Sequence, residues 1–530
     1  MLFHTWPFLL FMLVVLPVFF ALRKTPFWIP WLLAASYFFY GWWNPYYLLL
    51  VFYSTLLDYL LVTLMDHSPP RVREGIEPAP PANPDRFLAA TFVLSSLLSL
   101  SLLSGSVLGP VRLRPTLLTF GMLVLFMAVG AKLASRRVWL IISIVNNLAL
   151  LLFFKYARFV GENLNQVLAW AHIAYRFPDP SVLMPPGFSY VLPVGISFFT
   201  FQSMSYTIDF YLGKVPRERN FLRFATFVCF FPQLMAGPIE RARQMLPQFQ
   251  QPPPVRLSNL TDGCSLFLVG LFKKVALANY LALYVDRAYD NPAANTGGRL
   301  ALATFAFAWQ IYFDFSGYTD MARGVARMMG FELVLNFNNP YLSAGLGEFW
   351  TRWHISLSTW FRDYLYIPLG GNRRGTLATY RNLLIVFVVS GIWHGAAWTF
   401  VIWGLLHAIG IMLTRELERS DFYREKVPRV MKQAWVFLFV CFAWIFFRAT
   451  SLSDAWLIVG RILGFVWGNP QIPALMLALV LLVWLYQFLY ESGARGLLRL
   501  DVVRVGLAAG MLIYLSLCST GGGAFIYFQF

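Results

Sequence analysis

Apolar residues in this chain gather in blocks long enough to cross a bilayer. Spanning a hydrocarbon core of about 30 Å takes about 20 mostly apolar residues in a helix. Apart from closed barrels, only helices satisfy their own backbone at that depth. The blocks run over Phe8–Leu22, Trp28–Trp43, Tyr46–Met65, Phe87–Leu108, Thr116–Ala134, Val138–Phe154, Val191–Leu212, Cys264–Val285, Ala301–Met321, Asn382–Trp398, Thr399–Leu413, Ala434–Phe447, Pro473–Leu489 and Val503–Leu517. Several are short, so the pattern predicts roughly eleven to fourteen transmembrane helices, some of them half-helices.

The polar positions between the blocks predict an orientation. Arg23/Lys24, Arg71/Arg73, Lys132/Arg136/Arg137, Lys214/Arg217/Arg219, Arg323/Arg327, Arg373/Arg374/Arg381, the cluster Arg415–Lys432 and Arg495/Arg499 fall on one side under simple alternation. The positive-inside rule makes that side cytoplasmic. Arg112, Arg114, Lys155 and Arg158 fall on the other side, which questions the segmentation of residues 108–160. The first block has no basic residues before it and Arg23/Lys24 after it, the reverse of a cleaved signal peptide. It reads as a retained span with an external N-terminus. Residues 66–86, rich in proline and charge, read as a solvent loop. The chain as a whole reads as one integral-membrane domain over 1–530, with a catalytic core region at 190–410 and C-terminal helices at 433–530.

Composition agrees with the pattern. Of 530 residues, 58% are hydrophobic and only 13% charged, against about 45–50% and about 25% in soluble domains. A soluble enzyme, a disordered protein and a fibrous repeat are excluded. The net charge of +17 would suggest nucleic acid in a soluble protein. Here the basic residues lie in short loops, so topology accounts for them and no nucleic-acid partner is expected. The four cysteines show no C-x-x-C pattern and read as buried small hydrophobes, with neither a disulfide framework nor a metal site.

Three stretches mix strong hydrophobicity with costly polar groups: Leu192–Gly213, Phe230–Gln248 and, most densely, Tyr312–His407. Ionisable residues at bilayer depth face protein or a water-filled cavity. Pro340, Gly345, Gly347, Pro368, Gly370 and Gly371 suggest broken helices around such a cavity. Residues 312–407 are therefore expected to build a polar chamber.

Of the histidines, His4, His67 and His172 sit at termini or loops. His407 reads as a core histidine with a hydrogen-bonded ring. His394, in GIWHGAAW, is the sole ionisable group of the run Leu383–Trp403. Gly391 and Gly395 beside it permit close approach of a backbone or a substrate. A buried neutral imidazole can serve as general base, though a structural role remains open. His354 lies about 40 residues earlier; on a continuous helix it would share a face with Trp350 and Ser358. Arg352, Arg362 and Asp363 suit either the site or a structural ion-pair network. The chain contains no G-x-S-x-G, H-E-x-x-H or P-loop pattern. Gly370–Gly375 is only loosely like a phosphate-binding turn, and a cytoplasmic turn explains it equally well.

The pieces LPVGISFFTFQSMSYTIDFYLG, FFPQLMAGPIERARQMLPQF, DFSGYTDMARGVARMMGF, FNNPYLSAGLGEFWTRWHISLSTWFRDYLYIPLGGNRRG and SGIWHGAAWTFVIWGLLHA together resemble the membrane-bound O-acyltransferase superfamily, in its bacterial branch similar to alginate O-acetyltransferase. The resemblance implies an all-α polytopic fold around a central funnel or tunnel. It also implies transfer of an acyl group from a cytoplasmic thioester to a hydroxyl. His394 matches the signature histidine of the family and His354 its second polar position. The Asp66–Asp85 loop and the stretch Ser95–Arg114 depart from the family pattern.

With that resemblance, His394 is expected to deprotonate an acceptor hydroxyl as it attacks the thioester of acetyl-CoA, the donor substrate; no permanently bound cofactor or metal is expected. His354 is expected to orient the acceptor or hold the carbonyl oxygen. Asn338, Asn339, Arg352 and Trp393 are candidate substrate-binding residues. Arg373 and Arg374, with Arg381 and Lys273/Lys274, are candidates for the CoA phosphates. Phe198, Phe199, Trp393 and Trp398 are candidates for an aromatic chamber wall suited to a short acyl group. The resemblance further implies a bacterial inner-membrane location amid lipid, a polysaccharide acceptor and a periplasmic acetyltransferase partner. The alternatives are a D-alanyl or longer-acyl transferase of the same superfamily and a transporter or flippase without covalent chemistry.

Overall fold

Helix is the only regular structure among the described residues of the computed structural model, which are 1–68, 135–184, 190–464, 467–471 and 473–518. That is the outcome required of backbone amides with no water to bond. The chain divides into two compact units.

The first unit comprises residues 9–235 and 239–254, with Met1. It contains α1 (Trp6–Leu22, from Leu9 onward), α2 (Trp28–Gly41), α3 (Pro45–His67), α4 (Arg136–Trp170), α5 (Ile196–Tyr211), α6 (Phe221–Cys229) and α7 (Ala242–Gln250). Apolar faces gain little by meeting one another in lipid, so polar contacts hold such helices together. The fully buried Asp58 of α3 does this here. It accepts hydrogen bonds from Ser143 Oγ (2.6 Å) and Asn147 Nδ2 (2.9 Å) of α4 and from Ser203 Oγ of α5.

The second unit comprises residues 2–8, 236–238 and 255–530. Its helices are α8 (Leu257–Tyr289), α9 (Gly297–Met328), α10 (Leu346–Arg352), α11 (Ile355–Phe361), α12 (Gly375–His394), α13 (Trp398–Leu417), α14 (Arg429–Arg448), α15 (Leu452–Leu463), α16 (Ala474–Glu491) and α17 (Asp501–Cys518). Among the described residues, seven helices are long and apolar enough to cross a membrane: α3, α4, α8, α12, α13, α14 and α16. The short helix Gly493–Arg499 and α17, bent by 67°, make up an eighth when taken together. The chain is a multi-pass, all-α membrane protein.

Several boundaries differ from the sequence expectation. Helix α4 runs for 35 residues through a π turn at Leu152–Tyr156. Lys155 and Arg158 therefore sit on the helix that starts at Arg136, with Arg158 paired to Asp179 (3.0 Å). Helix α9 is 32 residues long and carries Asp314, Asp320, Arg323 and Arg327 within it. Two of its charges bind a neighbouring helix: Asp314 pairs with the buried Lys274 of α8, and Asp320 with Lys273 at 2.7 Å. The expected spans Phe87–Leu108 and Thr116–Ala134, Arg112, Arg114 and most of the 66–86 loop lie outside the described residues.

Hydrogen bonds and ion pairs tie the basic helix ends of this unit together. Arg419, just beyond α13, donates to Thr376 at the start of α12 (3.4 Å). Glu348 takes both Arg352 (2.9 Å) and Arg429 (3.6 Å), and Arg352 reaches Glu491 at the end of α16 (2.5 Å). At the opposite end Arg448 closes α14 onto Asp286 of α8 (2.8 Å).

Candidate active site

His394 is the last residue of α12 and is buried. The turn Gly395-Ala396-Ala397 then reverses the chain into α13. Two glycines make this reversal possible. A Cβ on Gly391 would stand 2.3 Å from the Phe400 carbonyl oxygen, and one on Gly395 would stand 2.0 Å from the Phe400 ring. The close approach that the sequence allowed is thus made by α13 itself. The turn leaves the imidazole in an aromatic corner, edge-to-face with Trp393 (4.9 Å), Trp403 (5.0 Å) and Phe447 (5.3 Å).

His354 is fully buried between α10 and α11. The continuous helix expected to put Trp350, His354 and Ser358 on one face does not form. His354 takes a left-handed conformation, φ +42°, which breaks the helix there. Such a conformation costs a non-glycine residue on the order of 1–3 kcal/mol and persists only where its surroundings enforce it. Here residues 336–338 enforce it. Ile355 N donates to Asn336 O (2.9 Å) and Asn338 N to Arg352 O (2.9 Å). Both the amide and the hydroxyl of Ser356 donate to Asn336 Oδ1, at 3.2 and 2.9 Å. The break turns the imidazole toward Phe315 (ring centroids 4.6 Å apart) and Trp393 (6.2 Å). The two histidines therefore flank one indole, that of Trp393.

A cavity of about 220 Å³ lies beside this corner. Arg362, Tyr366, Trp350, Phe387 and Ser390 are among the residues that line it. Ser390 shares a helix face with His394, one turn before it. Trp350 and Ser358, parted from His354 by the helix break, belong to this cavity.

The other candidates fall elsewhere. Arg352 is held by Glu348 and Glu491, and Asn339 Nδ2 also donates to Glu491 (3.3 Å). Asn338 is exposed and offers its carbonyl to Arg352 (3.3 Å). These three form a network at the basic end, while the buried Asn336 shapes the turn at His354. Arg373, Arg374 and Arg381 are exposed at the same end. Lys273 and Lys274 are engaged by Asp320 and Asp314. Of the expected aromatic wall, Trp393 touches both histidines; Trp398 is 52% exposed, and Phe198 and Phe199 lie in the first unit. Trp403 and Phe447 complete the corner without having been singled out by sequence, since aromatic residues are common in every span of this chain.

Residues 136–453 match the sequence profile of the MBOAT, membrane-bound O-acyltransferase family. The chain belongs to the membrane-bound O-acyltransferase family. Within that family it is 41% identical over 369 residues to the "Probable alginate O-acetylase AlgI" of Azotobacter vinelandii, covering 68% of this chain and 71% of that protein. It is 37% identical over 434 residues to the protein of the same name from Pseudomonas putida, covering 76% and 86%. Against the "Peptidoglycan O-acetyltransferase" of Helicobacter pylori, identity is 38% over 349 residues, covering 61% and 64%. The membrane-bound O-acyltransferase family match spans both histidines, Trp393 and the cavity. The chain is accordingly an enzyme, an O-acyltransferase.

Proposed function

We infer that this O-acyltransferase moves an acetyl group from acetyl-CoA in the cytoplasm to a hydroxyl of an extracytoplasmic polysaccharide of the alginate type. The group travels directly or by way of a periplasmic partner, and the enzyme resides in the bacterial inner membrane. The names of the relatives support acetyl as the group and a cell-surface glycan as the acceptor. One structural observation carries the reading: His354 and His394 flank Trp393, and a cavity reaches from Arg362 and Tyr366 to within one helical turn of His394.

Geometry gives that arrangement a direction. Helix α12 has 20 residues, so at 1.5 Å per residue it spans about 30 Å, the thickness of the hydrocarbon. The exposed Arg373 and Arg374 precede it, on the side that the positive-inside rule makes cytoplasmic. His394 ends it, on the side of the acceptor. A thioester entering at the basic end follows the cavity inward, while the polymer needs only to reach the outer end of α12. The acyl group crosses and CoA stays behind.

At the centre, a ring nitrogen of His394 takes the proton of the acceptor hydroxyl as the oxygen attacks the thioester carbonyl. The tetrahedral intermediate collapses, the C–S bond breaks, and the departing thiolate recovers the proton. The carbonyl end of α12, with its partial negative charge, lies beside the imidazolium formed on the way. General-base help of this kind is worth about 10²–10⁴ in rate. His354, across Trp393, orients the acceptor or the developing oxyanion. Purified His394→Ala is expected to lose acetyl transfer from radiolabelled acetyl-CoA while remaining in the membrane fraction. Transfer at the wild-type rate would remove the assignment.

A further inference from the structure

Four polar atoms of the second unit are buried without a hydrogen-bond partner within the protein, and they occur together. They are Nε1 of Trp350, Nε1 of Trp403 and both ring nitrogens of His407. The His407 ring lies 4.8 Å from Trp403 and 5.0 Å from Trp350, and the two indoles are 5.8 Å apart. Phe349, Phe387, Phe439 and Trp444 complete the shell around His407 with further aromatic rings. His407 is thus a core histidine, as its sequence context suggested, but its ring is not hydrogen-bonded. Edge-to-face contacts with indoles offer at most weak N–H···π bonds. Folded proteins pair roughly 90% or more of their buried polar groups, so four exceptions in one cluster call for a ligand.

The position of the cluster says where that ligand comes from. Trp350 and Phe387 line the cavity, and Trp403 lies against His394, 5.0 Å away. The cluster therefore stands between the cavity and the reaction centre. Its chemistry says what the ligand is. Each indole has one N–H donor, and a neutral imidazole has one donor and one acceptor. The two indole donors and the imidazole acceptor match a secondary amide, whose carbonyl oxygen takes one indole N–H on each lone pair while its own N–H donates to the imidazole; the remaining imidazole N–H faces the aromatic shell. An alkyl chain would leave all four atoms unsatisfied. An anion would leave the acceptor nitrogen unused and carry its charge into a shell of aromatic rings.

We propose that Trp350, Trp403 and His407 form an amide-binding station for the carrier arm of the acyl donor. The arm of a pantetheine thioester carries a secondary amide two methylenes from the sulfur. An amide held at this cluster directs the thioester past Trp403 toward His394. The enzyme then reads its donor by the carrier arm as well as by the acyl group. The assignment rests on the acyl-thioester donor argued above.

The test compares donors with and without the amide, using the full-length enzyme in detergent and an oligouronate acceptor. The donors are acetyl-CoA, S-acetyl-N-acetylcysteamine, which keeps the nearest amide, and S-propyl thioacetate, which has none. For each, kcat/KM is measured from thiol release. Trp350→Phe removes the indole N–H and keeps an aromatic ring, and His407→Phe removes both ring nitrogens. Each is expected to lower the ratio of kcat/KM between amide-bearing and amide-free donors by about tenfold, the worth of a lost hydrogen bond. His407→Asn, whose carboxamide again offers a donor and an acceptor, is expected to restore most of that ratio. An unchanged ratio in both phenylalanine variants overturns the station, because a packing defect would slow all three donors alike. Trp350→Phe supplies the decisive comparison if His407→Phe does not fold. A wild type with equal kcat/KM for all three donors also refutes the station and leaves the donor reading standing. A wild type that releases thiol from none of them refutes both.

Discussion

Gly391→Ala is the smallest change that tests whether the α12–α13 reversal sets the position of His394. The added methyl would stand 2.3 Å from the Phe400 carbonyl oxygen and 3.3 Å from Gly404 Cα. A carbon and a carbonyl oxygen approach no closer than about 3.3 Å in ordinary weak contact, so the two backbones must part by about 1 Å. No side-chain rotation relieves the clash, because the obstructing atom belongs to the main chain. Overpacking of this kind costs about 1–3 kcal/mol. His394 lies three residues further along the same helix, and a misplacement of about 1 Å at a reacting group can cost on the order of 10²-fold in rate. Gly391→Ala should therefore lower the detergent melting temperature by several degrees and slow acetyl transfer about 10²-fold. Gly460→Ala on α15 is the matched control: its added Cβ meets nothing within 4 Å, so it should gain about 0.5–1 kcal/mol with no change in rate. Wild-type turnover and melting in Gly391→Ala would show that the reversal does not position the imidazole.

Two further outcomes are expected. Asn336→Ala removes the acceptor of both Ser356 bonds beneath the left-handed His354; kcat should fall while KM changes little, and Asn336→Asp, which keeps the acceptor oxygen, should recover part of the loss. In the loop after α4, hydrogen bonds from Ser181 and then Arg158 hold the Asp179 carboxyl down to about 2. A depressed carboxylate stabilises above its unfolded value and loses that contribution as pH falls through the folded one. The Arg158–Asp179 clamp should thus stay closed from neutral pH to about pH 4 and open toward pH 2, read as faster amide hydrogen exchange in residues 171–184.

What the sequence revealed and what it hid follow from the range of the forces involved. Length and hydropathy are local properties, so α3, α12, α13 and α14 were legible as apolar blocks, and the histidine of GIWHGAAW stood out as the sole ionisable group of its run. Pairing across the chain is not local. Asp314 and Asp320 looked like residues of a polar chamber, yet they neutralise Lys274 and Lys273 on another helix. Nothing in either segment alone announces that pairing. The same holds for His354. Its neighbours Trp350 and Ser358 lie at helical spacing, and local propensity favours continuing the helix. The backbone bonds to residues 336–338 break it and turn the imidazole toward Trp393. That break gives the centre two different surfaces. Trp350 and Ser358 stay with the cavity, while His354 turns toward Trp393, which His394 also meets. One left-handed residue thereby sends neighbours that helical spacing would have kept on one face to two places, the cavity wall and the aromatic corner at Trp393.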